Sequence, residues 1–176
     1  LNSFQIIVLG FAGVILAGAL LLMLPVSSAT HCVTPFLSAL FPSTTSVCVT
    51  GLIVVDTGTY WSVFGQAVIL VLIQIGGMGV VTVAAAVTIV SGRKIGLMQR
   101  STMQEAVAAP KMSGIVRLTG FIIRATFLIE LSGAALLAPV FCRDFGPVRG
   151  LWMAVFHSIS AFCNAGFDLM GVREPF

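Results

Sequence analysis

Ser46-Val47-Cys48-Val49-Thr50-Gly51-Leu52 is the stretch on which the reading of the fold turns. Two valines and a threonine crowd the turns of a helix, and Gly51 weakens one further, so this segment favours extended or strained backbone. Before it, Thr34-Pro35 opens an apolar run, Phe36 to Thr45, in which the proline suits the first turn of a helix. That run is far too short to cross a bilayer, which needs ~20 apolar residues. Irregular backbone is tolerated at membrane depth only where it is buried in protein or lines a watery cavity. A short helix followed by a strained loop therefore reads as a segment that enters the membrane and returns.

The flanking sequence supplies the membrane. Of 176 residues 58% are hydrophobic and 9% charged, against roughly a quarter charged in a globular chain. Residues 1–30 and 57–92 carry no Asp, Glu, Lys or Arg. The first span is expected at residues 4–24, ended by Pro25, and a second at 64–90. A third is expected at 114–140, closed by Pro139 and the polar Arg143-Asp144. A cleaved signal peptide over residues 1–30 is disfavoured, because no basic segment precedes the apolar run. The chain begins at Leu1 and stops at Phe176, and it reads as a piece of a longer one.

Five of the nine basic residues, Arg93, Lys94, Arg100, Lys111 and Arg117, fall in one polar stretch. The positive-inside rule makes that linker, residues 92–113, cytoplasmic. Residues 25–65 hold no Lys or Arg and fall outside, which puts the N-terminus in the cytoplasm. The basic stretch also carries Glu105 and lies between spans, so it is a topology signal and no nucleic-acid partner is expected. Cys32, Cys48, Cys142 and Cys163 form no CxxC or His/Cys ligand spacing. Sequence does not bring Cys32 and Cys142 within disulfide range.

Placing residue n against residue n + 115 pairs Ala39 with Ala154, Phe41 with Phe156, Ser43 with Ser158, Cys48 with Cys163 and Gly51 with Gly166. Thr45 with Ser160 and Leu52 with Phe167 are similar pairs. The expected architecture is an all-α polytopic membrane protein of repeated units, each a helix, a re-entrant pore helix with its loop, and a helix. Residues 1–91 form the first unit, with a pore helix at 35–45 and loop 46–52. Residues 114–176 form a truncated second, with a pore helix at 148–160 and loop 161–167.

An ion crossing a membrane exchanges water for protein oxygens, and backbone carbonyls provide these without full charges. The candidate ligands are the carbonyls of Val47, Cys48, Val49, Thr50, Gly51 and Leu52, and of Phe162, Cys163, Asn164, Ala165, Gly166 and Phe167. The C-terminal ends of the two short helices would favour a cation between them.

These segments resemble the Trk/Ktr/HKT potassium-transporter superfamily, most closely its KtrB-type membrane subunits. The residues carrying the resemblance are Thr45 to Leu52, Leu72-Ile73-Gln74-Ile75-Gly76-Gly77-Met78-Gly79, Lys94-Ile95-Gly96-Leu97 with Met103-Gln104-Glu105-Ala106, and Ser160 to Asp168. The resemblance implies four loops around one pore with a filter glycine in each, of which Gly51 and Gly166 are two. It implies potassium as substrate, sodium as co-ion, and no covalent cofactor. It also implies a homodimer in the plasma membrane, bacterial in kind, docked on a cytoplasmic ring of nucleotide-binding regulatory subunits.

Other residues carry competing readings. Gly76-Gly77-Met78-Gly79 suits close helix packing better than a gating hinge, and Gln74 a neighbouring helix better than an ion. Arg124 and Glu130 lie within the third span, where charges are costly. Six residues apart, they are offset by about 120° around the helix and do not pair along one face. Arg124 is expected to snorkel and Glu130 to brace neighbouring elements. Asp56 and Asp168 suit an outer vestibule or ordinary loops equally. His157 beside Ser158 and Cys163 raises an intramembrane hydrolase, but no acid is placed to orient the ring. A non-conducting scaffold that binds regulatory subunits through residues 92–117 is the alternative to an ion path.

Overall fold

The computed structural model describes residues 3–79, 82 and 115–172. Helix α1 (Ser3–Met23) is followed by a short 3-10 turn at Pro25–Ser27. Then come α2 (Phe36–Val47), the single turn α3 (Thr57–Tyr60) and α4 (Val63–Met78). Beyond the linker lie α5 (Ile115–Phe145), α6 (Pro147–Phe162) and a second 3-10 turn at Met170–Val172. No strand occurs among the described residues; Ser28 and Trp61 form an isolated antiparallel bridge.

Helices α1 and α5 are each long and apolar enough to cross a bilayer. Their large side chains point outward: Val8, Leu20, Phe121, Leu128, Leu131 and Leu136 are all exposed. A water-soluble chain of this size rarely exposes contiguous apolar faces on two helices. The chain is an all-helical membrane protein. Its interior lies where α2, α4 and α6 converge, around Leu22, Val47, Ile69, Ile73, Met153 and Phe156.

Local chemistry sets the helix ends. Pro35 precedes α2 in extended geometry, φ −56° and ψ 145°. Asp56 caps α3 by accepting from Thr59 N at 2.7 Å. Ser62 caps α4 by accepting from Gly65 N at 3.2 Å, and its hydroxyl donates to Val26 O at 2.6 Å, which ties the start of α4 to the end of α1. With 12 residues, α2 is about 18 Å long, well short of the ~30 Å hydrocarbon thickness.

Three expected boundaries move. The second span does not run unbroken from 64 to 90: α4 stops at Met78 because Gly79 adopts φ +81° and its N–H turns back to Gly76 O at 3.1 Å. Residues 80–90, apart from 82, and the linker 92–113 lie outside the described residues. The third span does not end at Pro139, which sits inside α5. A proline costs a helix one hydrogen bond, but apolar packing carries the helix on, with Phe141 stacked on His157 at 4.9 Å. The stop comes at Gly146, φ +83°, directly before Pro147 opens α6. Gly150 then lies against the Cys142 backbone, where a Cβ would not fit, so α5 and α6 form a tight hairpin. Finally, both short helices run past their expected ends, α2 to Val47 and α6 to Phe162.

Candidate functional site, two loops at the ends of short helices

The two loops leave their helices through the same three backbone hydrogen bonds. After α2, Cys48 N donates to Thr44 O at 2.8 Å, Val49 N to Ser46 O at 3.2 Å and Thr50 N to Thr45 O at 2.9 Å. After α6, Cys163 N donates to Ile159 O at 2.9 Å, Asn164 N to Ala161 O at 3.0 Å and Ala165 N to Ser160 O at 2.7 Å. Val49 and Asn164 are both left-handed, φ 55° and 57°, as are Gly51 and Gly166, φ 74° and 73°. Sequence singled out the glycines; Asn164 was legible too, since asparagine tolerates this region. Val49 was not, because a β-branched residue there is strained.

These bonds settle where the polar groups of the loops go. The N–H groups of residues 48–50 and 163–165 are spent on the helix ends behind them. The carbonyls of Cys48, Val49, Thr50 and Gly51, and of Cys163, Asn164, Ala165 and Gly166, receive no hydrogen bond from the described residues. At residues 48–50 and 163–165 the donors are satisfied while the acceptors are left over, a polarity that suits a cation better than an anion.

The edges of the expected ligand set have different surroundings. Val47 and Phe162 are the last helical residues, and the Val47 carbonyl faces Gly76, so neither belongs to the loop proper. At the other end Phe167 O accepts from Ser160 Oγ at 2.6 Å, while Leu52 N donates to Thr45 Oγ1 at 2.9 Å. The Phe167 carbonyl therefore already accepts one hydrogen bond. Thr45 Oγ1 also bonds the Thr50 hydroxyl.

The loops touch. A Cβ on Gly51 would strike Ala165 O, and one on Gly166 would lie 3.6 Å from Gly51 Cα. Helix α4 holds both from behind, with Gly76 seated on the Val47 carbonyl and Gly77 on the Cys163 side chain. Close packing therefore accounts for Gly76 and Gly77, while Gly79 ends the helix with nothing within 4 Å of its Cβ direction.

The supporting helices repeat as well. Ser43 Oγ donates to Ile15 O at 2.6 Å, and Ser158 Oγ donates to Glu130 O at 2.6 Å. Gly18 and Gly133 make room for those two serine hydroxyls. All three pairs obey the n + 115 register; the Gly18 and Gly133 match was available in sequence but carries no signal without knowing what it faces.

Two polar links join the units. Gln74 Nε2 on α4 donates to both carboxyl oxygens of Glu130 on α5, at 2.9 and 3.1 Å, and Glu130 is only 3% exposed. Gln74 Oε1 is buried without a partner among the described residues. At the other end of α4, Trp152 Nε1 donates to Gln66 Oε1 at 2.9 Å while Gln66 Nε2 donates to Trp61 O at 3.1 Å. Arg124 is exposed on α5 and stands apart from this arrangement.

The remaining candidates take local roles. His157 Nδ1 lies 2.8 Å from Met153 O, and its Nε2 accepts from Leu169 N at 3.3 Å, so neither nitrogen is left to activate a nucleophile. Asp168 accepts from Met170 N at 2.8 Å, and Asp56 lies against Gly171. The four cysteines are free thiols.

A family model described as TrkH, cation transport protein, matches residues 2–172. The chain is 40% identical over 171 residues to the potassium/sodium uptake protein NtpJ of Enterococcus hirae, covering 97% of this chain and 38% of that protein. It is 43% identical over 165 residues to the Ktr system potassium uptake protein B of Bacillus subtilis, covering 94% and 37%. The protein of the same description from Vibrio alginolyticus is 38% identical over 165 residues, 94% of this chain and 36% of that one. The chain thus spans less than two fifths of the length of these relatives. With a match over nearly all of its residues, the chain belongs to the TrkH family of cation transport proteins.

Proposed function

We propose that this chain is part of the pore-forming subunit of a Ktr/Trk-type system that takes up potassium across a bacterial plasma membrane. The observation that carries the reading is the pair of loops whose N–H groups are spent on α2 and α6 while their carbonyls stay free. Left-handed residues at positions 49 and 51, and again at 164 and 166, turn the chain so that successive carbonyls need not alternate sides as they do in a strand. Potassium as the substrate follows from the potassium uptake named for relatives 38–43% identical. Sodium as a co-ion is supported by the potassium/sodium uptake named for NtpJ.

The ligands are then the carbonyls from Cys48 to Leu52 and from Cys163 to Gly166. Two further loops complete the ring in the whole protein. The N-terminus and the basic linker are cytoplasmic, and the linker side meets a ring of nucleotide-binding regulatory subunits beneath a homodimer. Glu130 is structural: it holds α4 against α5.

The test is Gly51→Ser in the full-length protein, expressed in a cell that lacks potassium uptake. Potassium preference over sodium falls if the reading holds. Unchanged uptake and unchanged preference would overturn it, and absence of any ion flux in vesicles from the unsubstituted protein would favour a scaffold.

A further inference from the structure

A second feature lies away from the loops. Between the two units, on the side where α4 and α6 begin, runs a cavity of about 920 Å³. Val63 and Gln66 of α4 form one wall, and Val148, Leu151, Trp152 and Val155 of α6 the other. The walls are apolar, and Val148 is 85% exposed. Among the described residues its one charged lining residue is Arg149, whose guanidinium lies 6.0 Å above the Phe145 ring.

We propose that this groove holds one anionic phospholipid of the surrounding leaflet, its acyl chain against Val148, Leu151 and Val155 and its phosphate at Arg149. Four observations select that occupant. The chain spans a membrane, so a groove open on its flank meets acyl chains, and its apolar walls match them. The volume falls within the ~300–1,000 Å³ of small-molecule sites. Trp152 on the groove wall and Tyr60, 4.9 Å from the buried Trp61, are half-buried rings of the kind that concentrate at the headgroup level. One cation with no acid among the lining residues complements a phosphodiester.

The unit's own helices do not close this face. Leu37, which corresponds to Trp152 in the n + 115 register, stays 75% exposed although α1 and α4 both pack on α2. Trp152 is half-buried, and Gln66 of the other unit reaches it. The site belongs to the junction between units and does not depend on which ion crosses.

The experiment is native mass spectrometry of the purified full-length protein in detergent, titrated with phosphatidylglycerol or phosphatidylcholine. Phosphatidylglycerol should bind more tightly to the unsubstituted protein. Arg149→Gln should weaken that binding about tenfold, as expected for one charge-assisted hydrogen bond, and leave phosphatidylcholine unchanged. Arg149→Lys should keep most of the preference, and Val148→Trp, which fills the groove, should weaken both lipids. Equal binding of the two lipids, or an Arg149→Gln protein that binds as before, would overturn the proposal. So would a Val148→Cys protein that cross-links to a protein segment in the groove, since the space is then already filled.

Discussion

Gly51 and Gly166 meet at the contact between the two loops, yet they are not equivalent there. A Cβ on Gly51 would run into the Ala165 carbonyl, whereas one on Gly166 would find only Gly51 Cα, at 3.6 Å. Both have φ near +74°, so both carry the conformational cost of a side chain in the left-handed region, about 1–2 kcal/mol. Only Gly51 adds a collision with backbone, which cannot rotate away. Gly51→Ala should therefore disturb selectivity and stability more than Gly166→Ala, which should cost only about 1–2 kcal/mol. Potassium and sodium uptake with thermal unfolding of both variants checks this; equal effects would refute the asymmetry.

Val49 and Asn164 share one backbone conformation with unequal comfort. Valine at φ 55° is strained and asparagine at φ 57° is not. Val49→Asn should stabilise the protein by about 1 kcal/mol, and Asn164→Val should destabilise it by a similar amount. A lower unfolding temperature for Val49→Asn would show that Val49 packing outweighs the strain.

Gln74 is the side-chain donor to Glu130, whose carboxyl group is buried in the helix bundle. Gln74→Leu leaves that group without its partner and should cost about 1–3 kcal/mol. The double substitution Gln74→Leu with Glu130→Leu should recover part of the loss, because an apolar pair needs no partner. Unfolding of the two single variants and the double one measures the coupling. Additive losses would mean that the two residues act separately.

Ser158 Oγ occupies the space that Gly133 leaves open while bonding Glu130 O at 2.6 Å. Gly133→Ala should displace α6 from α5 and lower stability. Adding Ser158→Ala should rescue it, since the methyl then meets only the residue-158 Cβ, at about the 3.5 Å measured here. A double variant no better than Gly133→Ala would place the strain elsewhere.

Much of this chain is legible without coordinates, beginning with the stretch from Ser46 to Leu52. Charge-free runs declare spans, the n + 115 register declares a repeat, and Gly51 and Gly166 declare loop positions that need left-handed backbone, because each follows from side-chain chemistry at its own position. Pro139 misled for the same reason: its local preference is to break a helix, and packing around Phe141 and His157 overrides it.

Tertiary structure decided what depends on two distant groups meeting. That Gly76 and Gly77 seat the ends of α2 and α6, that Glu130 finds Gln74 and not Arg124, and that Phe167 O is taken while Gly166 O is free are facts of packing. Sequence names the groups that can bond or fit closely. Only the fold determines which of them are satisfied by one another and which carbonyls are left without a donor.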